Sequence, residues 1–216
     1  MITTDEASRL ILLWGSAGLF VAGLIAFAAD RRVARFFHAH KKRSWRRRVR
    51  LTTDFAKGAH WLVVAALLYG GMQGAIVLGY ETEEIHRISD LSAALLLGLG
   101  VATALLHTIK LFVGRRRPRD DFQHGFYGFE FFRFETQHDS FPSGHALTIF
   151  CVATVLSAAW PGLALLWFAI AFYLALTRAL LTSHFLSDVL IGASIGLIVM
   201  RETFLLVFPA LAPTWF

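Results

Sequence analysis

Long apolar runs recur along this chain and leave only short polar segments between them. The runs cover residues 10–29, 60–80, 91–113, 146–160, 163–181 and 185–208. A helix needs about 20 apolar residues to cross the hydrocarbon core of a bilayer, and most of these runs approach that length. Hydrophobic residues make up 56% of the chain, which exceeds what a water-soluble core requires. The sequence therefore predicts an all-α, polytopic integral membrane protein with six transmembrane helices in a bundle.

The runs follow one another without any sign of a domain boundary. No internal repeat, low-complexity tail or Pro/Gly-rich linker interrupts the 216 residues. The first run lacks the basic start and small-residue cleavage site of a signal peptide, so we expect it to remain as a helix. We therefore expect residues 1–216 to form a single membrane domain, with its polar motifs between residues 110 and 188.

Basic residues are concentrated in the loop after the first apolar run. Ten of the 21 Lys and Arg residues fall within residues 31–50, in a chain whose formal net charge is +6. The loop also carries Phe36, Phe37 and Trp45, and it is held between two membrane spans. This combination favours contact with lipid headgroups over nucleic-acid binding. Membrane lipids are therefore expected partners, and nucleic acid is not.

Three polar clusters lie at the ends of apolar runs. In chain order they are Lys110 with Arg117-Pro118, Pro142-Ser143-Gly144-His145, and Arg178 with His184 and Asp188. Because consecutive spans alternate in direction, six spans place all three clusters and the basic loop on one side of the membrane. We therefore expect residues far apart in the sequence to meet in one pocket.

The spacing of the charged residues predicts how they are presented. Lys110 and Arg117 are two helical turns apart, so they would point the same way if the helix continues that far. His184 and Asp188 are four residues apart, which would let the carboxylate hydrogen-bond one imidazole nitrogen. A turn near residues 182–183 would draw Arg178 into the same site.

The Pro-Ser-Gly-His string is typical of a helix start. Pro142 suits a first turn and Ser143 is a preferred cap. Free N–H groups at such a start attract anions, and Gly144 would let a phosphate approach the backbone closely.

Taken together, the clusters resemble the motifs of the type 2 phosphatidic acid phosphatase superfamily. Residues 110–118 match K-x6-R-P, residues 142–145 match P-S-G-H, and residues 178–188 match R-x5-H-x3-D. One position departs from the pattern, since Thr177 stands where the family usually has Ser. Vanadium haloperoxidases have related motifs, but the resembling members are soluble, and six spans argue against that activity.

The resemblance implies a role for each motif residue. His184 would be the nucleophile that forms a phosphohistidine, Asp188 would hold its tautomer, and His145 would serve as general acid and then as base. The expected phosphate-binding residues are Lys110, Arg117, Ser143, Gly144 and Arg178. No metal or cofactor is implied, so we expect activity to survive chelation.

The family resemblance leaves the substrate and the type of acceptor open. Family members act on phosphatidic acid, phosphatidylglycerophosphate, isoprenoid diphosphates and lipid A, and the motifs do not choose among these lipids. A phosphotransferase would use the same histidine, and a transporter or membrane scaffold is a separate alternative. The sequence also does not indicate an oligomeric state.

The membrane side of the clusters is indicated in two conflicting ways. The positive-inside rule places the basic loop, and with it the clusters, in the cytoplasm, because the opposite loops are acidic or neutral. Many family members face the periplasm or lumen instead. We expect a bacterial inner membrane protein in either case.

Other polar and aromatic residues near the clusters allow two readings each. Arg115 and Arg116 either attract phosphate or are surface charge. The loop 120–140 is rich in aromatic residues, which favour the bilayer interface. It would either border the path of a lipid chain or serve as a simple interfacial anchor.

Overall fold

The computed structural model describes residues 10–40, 43–132 and 139–216. Every regular element in those ranges is a helix, with only isolated bridges from Arg115 to Phe129 and to Asp139. The helices are α1 (Ile11–Ala26), α2 (Asp30–Ala39), α3 (Arg43–Thr53), α4 (Gly58–Val77), α5 (Glu83–Val113), α6 (Pro118–His124), α7 (Gly144–Ala159), α8 (Ala164–Leu180) and α9 (Leu186–Val207). The predicted all-α class is therefore confirmed.

The structure supports part of the predicted set of membrane spans. Among the described residues, α4, α5, α9 and the segment Pro161–Leu180 are long and apolar enough to cross a membrane. The pair α1 and α2 qualifies only as one broken unit with a 78° bend, and α7 has 16 residues. Four spans, or five with the bent pair, are therefore supported, and the count of six is not confirmed.

Helix α7 is surrounded mainly by other helices of the protein. Most of its side chains are buried against α5, α8 and α9. Two glycines of α9 allow this approach: a Cβ at Gly192 would collide with the Ser143 carbonyl, and one at Gly196 would collide with the Leu147 carbonyl. Small residues four apart permit close helix contact. The first turns of α7 and α9 are thereby brought together.

The basic segment lies at the same end of the bundle as the motif residues. After α1 the chain turns at residues 27–29 and enters α2. Arg31 of α2 donates two hydrogen bonds to the Asp121 carboxylate in α6, at 2.7 and 3.2 Å. This contact confirms that the start of the basic segment and the K-x6-R-P cluster share one end.

Candidate active site

The R-x5-H-x3-D cluster is assembled by the turn between α8 and α9. The N–H groups of Ser183 and His184 both donate to the Arg178 carbonyl, at 3.0 and 3.3 Å. Thr182 has a positive φ of 55°, which reverses the chain. The predicted turn is therefore present, and it sets Arg178 beside His184.

His184 is buried, and its ring orientation is set by a backbone carbonyl. Its Nδ1 lies 2.8 Å from the Ser140 carbonyl oxygen. Because a carbonyl oxygen only accepts, Nδ1 carries the hydrogen and Nε2 keeps its lone pair. The predicted direct bond to Asp188 is wrong, since Nδ1 and Oδ2 are 3.9 Å apart. The reason is that His184 precedes α9, so the four-residue helical spacing does not apply to it.

Asp188 reaches His184 through Ser140. Its Oδ2 accepts from the Ser140 hydroxyl at 2.6 Å and from the Phe185 N–H at 2.9 Å. Its backbone carbonyl accepts from the Ser143 N–H at 3.0 Å. Asp188 is fully buried, so these donors replace the water that an ionised carboxylate would otherwise need. Asp188 thus fixes both the backbone next to His184 and the start of α7.

Arg115 is a site residue whose role the sequence did not reveal. Its guanidinium is fully buried and donates to Asp188 Oδ1 at 2.5 Å and to Asp30 Oδ2 at 2.8 Å. It also donates to the Ser187 hydroxyl at 2.8 Å. Both readings of Arg115, as a phosphate attractor and as surface charge, are therefore wrong. No local pattern points to Asp30, which lies 85 positions earlier in the chain.

Aromatic rings enclose the Arg115 guanidinium. Four ring centroids lie 4.2 to 5.4 Å from its central carbon, those of Phe27, Tyr127, Phe129 and Phe185. Such contacts attract a cation through the ring quadrupole, most strongly where water is excluded. Part of the aromatic loop therefore packs inward against the site, whereas Phe131 and Phe132 are exposed. Residues 133–138 of this loop lie outside the described residues.

Lys110 and Arg117 converge on one residue, Asp139. Helix α5 ends at Val113, and Gly114 has a positive φ of 47°, so the helix does not persist to Arg117. Arg117 nevertheless binds the Asp139 carboxylate with two hydrogen bonds of 2.8 Å each. The Lys110 ammonium donates to the Asp139 carbonyl at 2.6 Å. The two cations are thus brought together by a loop residue and not by a shared helix face.

Ser143 and Arg178 leave buried donors without partners among the described residues. Ser143 is the N-cap of α7, but its hydroxyl makes no capping bond, and its Oγ is buried and unpartnered. The Nε of Arg178 is also buried and unpartnered. Pro142 was predicted to lie in the first helical turn. It lies instead directly before the N-cap residue, Ser143. A buried polar atom without a partner is costly, and both of these atoms are donors of the kind that an anion accepts from.

Thr177 uses its hydroxyl behind the site. Its Oγ1 is hydrogen-bonded to the Leu174 carbonyl at 2.5 Å and to Thr53 Oγ1 at 3.0 Å. Thr53, at the end of α3, also accepts from Arg178 Nη1 at 3.4 Å. The Thr in place of Ser therefore keeps the hydroxyl contact and holds α3 against the site.

The electrostatics of the site favour neutral histidine and bound anions. Burial lowers the pKa of His184 well below its ordinary value, and the charges of Arg178, Arg117 and Lys110 lower it further. His145 is the second residue of α7, is half-buried, and lies within electrostatic range of Arg178, Lys57 and Asp54. Within the described ranges, no group of three or more His, Cys, Asp or Glu side chains could hold a metal ion. The arrangement can bind a tetrahedral anion and present it to an imidazole lone pair.

Comparisons with known proteins identify the family of this chain. The sequence model of the PAP2 superfamily matches residues 91–211. Lipid A 1-phosphatases from Rhizobium johnstonii and Rhizobium etli are each 27% identical over 150 residues, or 68% of this chain. The matched parts are 61% and 64% of those proteins, so the chain spans less than two thirds of the length of these curated relatives.

Two solved structures share the fold. LpxE from Aquifex aeolicus has a TM-score of 0.56 and 20% identity, covering 82% of this chain and 94% of that one. A transmembrane PAP2-type phosphatidylglycerolphosphate phosphatase from Bacillus subtilis has a TM-score of 0.58 and 19% identity, covering 87% and 93%. At these identities the likeness concerns the fold. The family match extends over more than half of the chain and confirms the family predicted from the three motifs: the chain belongs to the PAP2 superfamily.

Proposed function

We propose that this protein is a membrane lipid phosphatase that removes the terminal phosphate from a lipid phosphate or diphosphate through a phosphohistidine. One observation carries the proposal. The Ser140 carbonyl holds Nδ1–H of His184, which leaves the Nε2 lone pair of a neutral imidazole in a site with three cations. A neutral imidazole oriented in this way is an activated nucleophile.

The proposed reaction has two steps. In the first, Nε2 of His184 attacks phosphorus, the bond to the leaving oxygen breaks, and His145, which must carry its second proton while the substrate phosphate is bound beside it, donates that proton to the leaving oxygen. The phosphorylated ring gains positive charge, which the Ser140 carbonyl and the Asp188 carboxylate behind it stabilise. In the second step, His145 takes a proton from water, the water oxygen attacks phosphorus, and the bond from phosphorus to Nε2 breaks. Inorganic phosphate leaves, and His184 is again neutral.

The proposed phosphate site uses both cations and backbone. The non-bridging oxygens would be held by Lys110, Arg117, Arg178, the Ser143 hydroxyl and the N–H groups at the start of α7, beginning with Gly144. Charge-assisted bonds of this kind stabilise the charge of a phosphoryl transition state. Arg117 would exchange the Asp139 carboxylate for phosphate oxygens. This chemistry needs neither a metal nor a cofactor, so we expect phosphate release to continue in EDTA.

An apolar groove beside the site supports a lipid substrate. It encloses about 290 Å³ and is lined by α7 and α8 together with Thr52, Phe55 and Trp61. Thr52 adjoins Thr53, the residue that contacts Arg178. We propose that the groove takes a hydrocarbon chain of the substrate. Because two relatives are named lipid A 1-phosphatases, the 1-phosphate of lipid A is the first substrate to test.

We also propose that the chain forms one membrane domain with six spans in a bacterial inner membrane. Helices α1 and α7 would complete the six. Helix α1 is apolar along its length and largely exposed, as expected of a lipid-facing helix. Helix α7 would cross a shorter distance inside the bundle, where its length need not match the bilayer.

A panel of purified lipid phosphates and diphosphates tests the function. We expect the wild-type protein in detergent to release inorganic phosphate from at least one of them, and His184→Ala to lose this release by on the order of 10³-fold or more. Activity that survives His184→Ala would contradict the mechanism. Transfer of the phosphoryl group to a second lipid, with little free phosphate, would identify a phosphotransferase instead.

A further inference from the structure

We infer that Asp30 and Arg115 are positioning residues that hold His184 ready for attack, so that the start of α2 is part of the catalytic apparatus. The inference rests on the proposed function of His184. Neither residue touches the imidazole, and both would act through Asp188 and Ser140.

A continuous series of short bonds connects Asp30 to His184. Asp30 Oδ2 accepts from Arg115 Nη2 at 2.8 Å, and Arg115 Nη1 donates to Asp188 Oδ1 at 2.5 Å. Asp188 Oδ2 accepts from the Ser140 hydroxyl at 2.6 Å, and the Ser140 carbonyl accepts from His184 Nδ1 at 2.8 Å. No link is longer than 2.8 Å, so the series transmits position from α2 to the imidazole.

Arg115 holds Ser140 in two ways. Its side chain fixes the carboxylate that receives the Ser140 hydroxyl, and its backbone carbonyl accepts the Ser140 N–H at 2.9 Å. With hydroxyl and N–H both engaged, the peptide carbonyl of Ser140 has little freedom to turn away from His184. The tautomer of His184 therefore depends on where Arg115 sits.

Asp30 determines where Arg115 sits. The guanidinium fork bridges two carboxylates, a geometry that a lysine ammonium does not reproduce. Asp30 is itself fixed to the first turn of α9, because its Oδ1 accepts the Ser187 N–H at 3.0 Å and its Oδ2 accepts the Ser187 hydroxyl at 2.5 Å. Asp30, Arg115 and Asp188 are each 0% exposed, so water cannot take the place of a lost partner.

The chain offers a matched control for Asp30. Asp121 is also a buried carboxylate bound by an arginine across an interface with α2, but its partner is Arg31 and not Arg115. Replacing Asp121 removes a part-buried ion pair between α2 and α6 without removing any bond of the series to His184. If kcat falls only because α2 is held less firmly, it would therefore fall in both the Asp30 and the Asp121 variants.

Steady-state kinetics on the active lipid phosphate form the first test. We expect Asp30→Asn to lower kcat by about 10–100-fold, as for other residues that orient an active-site histidine from behind. KM should change little, because the phosphate-binding cations are untouched. Asp30→Glu should retain more activity than Asp30→Asn, and Asp121→Asn should keep the wild-type kcat. Equal losses of kcat in Asp30→Asn and Asp121→Asn would overturn the inference.

Nitrogen NMR of ¹⁵N-histidine-labelled protein gives a second readout that needs no substrate. The His184 signals are identified by their absence in His184→Ala. We expect the wild-type ring to be the Nδ1–H tautomer and Asp30→Asn to show a mixture of tautomers. If Asp30→Asn does not fold, Ser187→Ala removes the hydroxyl between Arg115 and Asp30 and should shift the same signals to a smaller extent. An unchanged tautomer in both variants would overturn the inference.

The two readouts separate the two proposals. A wild-type protein that releases no phosphate from any lipid, but whose His184 tautomer depends on Asp30, would disprove the proposed function and support the positioning role. Normal phosphate release by the wild type, with a kcat and a His184 tautomer that are unchanged by replacement of Asp30, would support the proposed function and disprove the positioning role.

Discussion

Arg115 and Arg117 are two residues apart, yet they bind carboxylates in opposite environments. Arg115 with Asp30 and Asp188, here called the buried cluster, is 0% exposed. Arg117 with Asp139, here called the exposed pair, has side chains that are 26% and 41% exposed. The chain between the two arginines is extended, and alternate side chains of an extended chain point to opposite sides. One arginine therefore enters the core and the other enters the proposed phosphate site.

The difference in burial makes the ion pairs of the buried cluster fixed and the ion pair of Arg117 with Asp139 exchangeable. A buried ion pair cannot lose one partner without leaving an uncompensated charge, and this makes the buried cluster rigid. An exposed pair contributes little to stability, because water solvates both groups when they separate. Under the proposed function, the exposed pair would open for a phosphate, whereas the buried cluster would hold its shape during the reaction.

The largest expected effect comes from breaking the buried cluster. Arg115→Met leaves Asp30 and Asp188 facing each other without a cation, and we expect a loss of about 3–5 kcal/mol in the free energy of unfolding. Unfolding of the purified protein by a denaturing detergent measures it. The matched variant Arg117→Met should lose no more than about 1 kcal/mol. Similar losses of unfolding free energy in the two variants would show that the buried cluster and the exposed pair do not differ in their contribution to stability.

The next largest effect is on catalysis and comes from the exposed pair. Arg117→Ala should keep the fold but lower kcat/KM for the lipid phosphate by about 10²–10³-fold, because a donor to the transition state is lost. Arg116→Ala provides the control, since Arg116 lies between the two and pairs with Glu130 at 3.0 Å. If Arg116→Ala loses as much kcat/KM as Arg117→Ala, the effect comes from general positive charge and not from a specific contact.

The same contrast shows what could be predicted from the sequence. Lys110, Arg117 and Arg178 were recognised because local spacing and span ends identify them, and the apolar runs gave approximate helix positions. The roles of Asp30 and Arg115 were missed because their contact joins segments 85 positions apart. A charged residue beside an apolar run looks the same in sequence whether it faces solvent or another buried charge.

One error and one unconfirmed prediction have a more specific physical cause. The direct bond from His184 to Asp188 assumed helical spacing, but the helix begins only at Leu186, and Ser140 lies between the two side chains. The sixth span was predicted from hydrophobicity, which does not distinguish a helix surrounded by lipid from one surrounded by protein. Most of α7 is buried by its neighbours, so its composition matches a span although its length is 16 residues.

A third prediction concerns the pH dependence of His184. Burial, followed by the charges of Arg178, Arg117 and Lys110, lowers the pKa of His184, so the neutral, nucleophilic form persists as the pH falls. We expect the single-turnover rate of phosphohistidine formation to change little from pH 7 to pH 6. An ordinary histidine would lose about threefold over that interval. Arg117→Ala, which removes one of these charges, should move the acid limb toward higher pH. A threefold fall in the wild type would show that His184 titrates normally.

The smallest expected effect tests whether the exposed pair is exchangeable. Partial burial opposes ionisation of Asp139, but the hydrogen bonds and charge of Arg117 outweigh it and hold the carboxyl pKa below its ordinary value. Asp139 is therefore a permanent anion that competes with phosphate for Arg117. Asp139→Asn should lower the inhibition constant of inorganic phosphate by about twofold, in proportion to the small free energy of an exposed pair. Inhibition of lipid phosphate hydrolysis measures this constant, and Glu130→Gln, which alters the neighbouring pair with Arg116, should leave it unchanged. A higher constant in Asp139→Asn would mean that the carboxylate orients Arg117 for phosphate instead of competing with it, and the exposed pair would then be as fixed as the buried cluster.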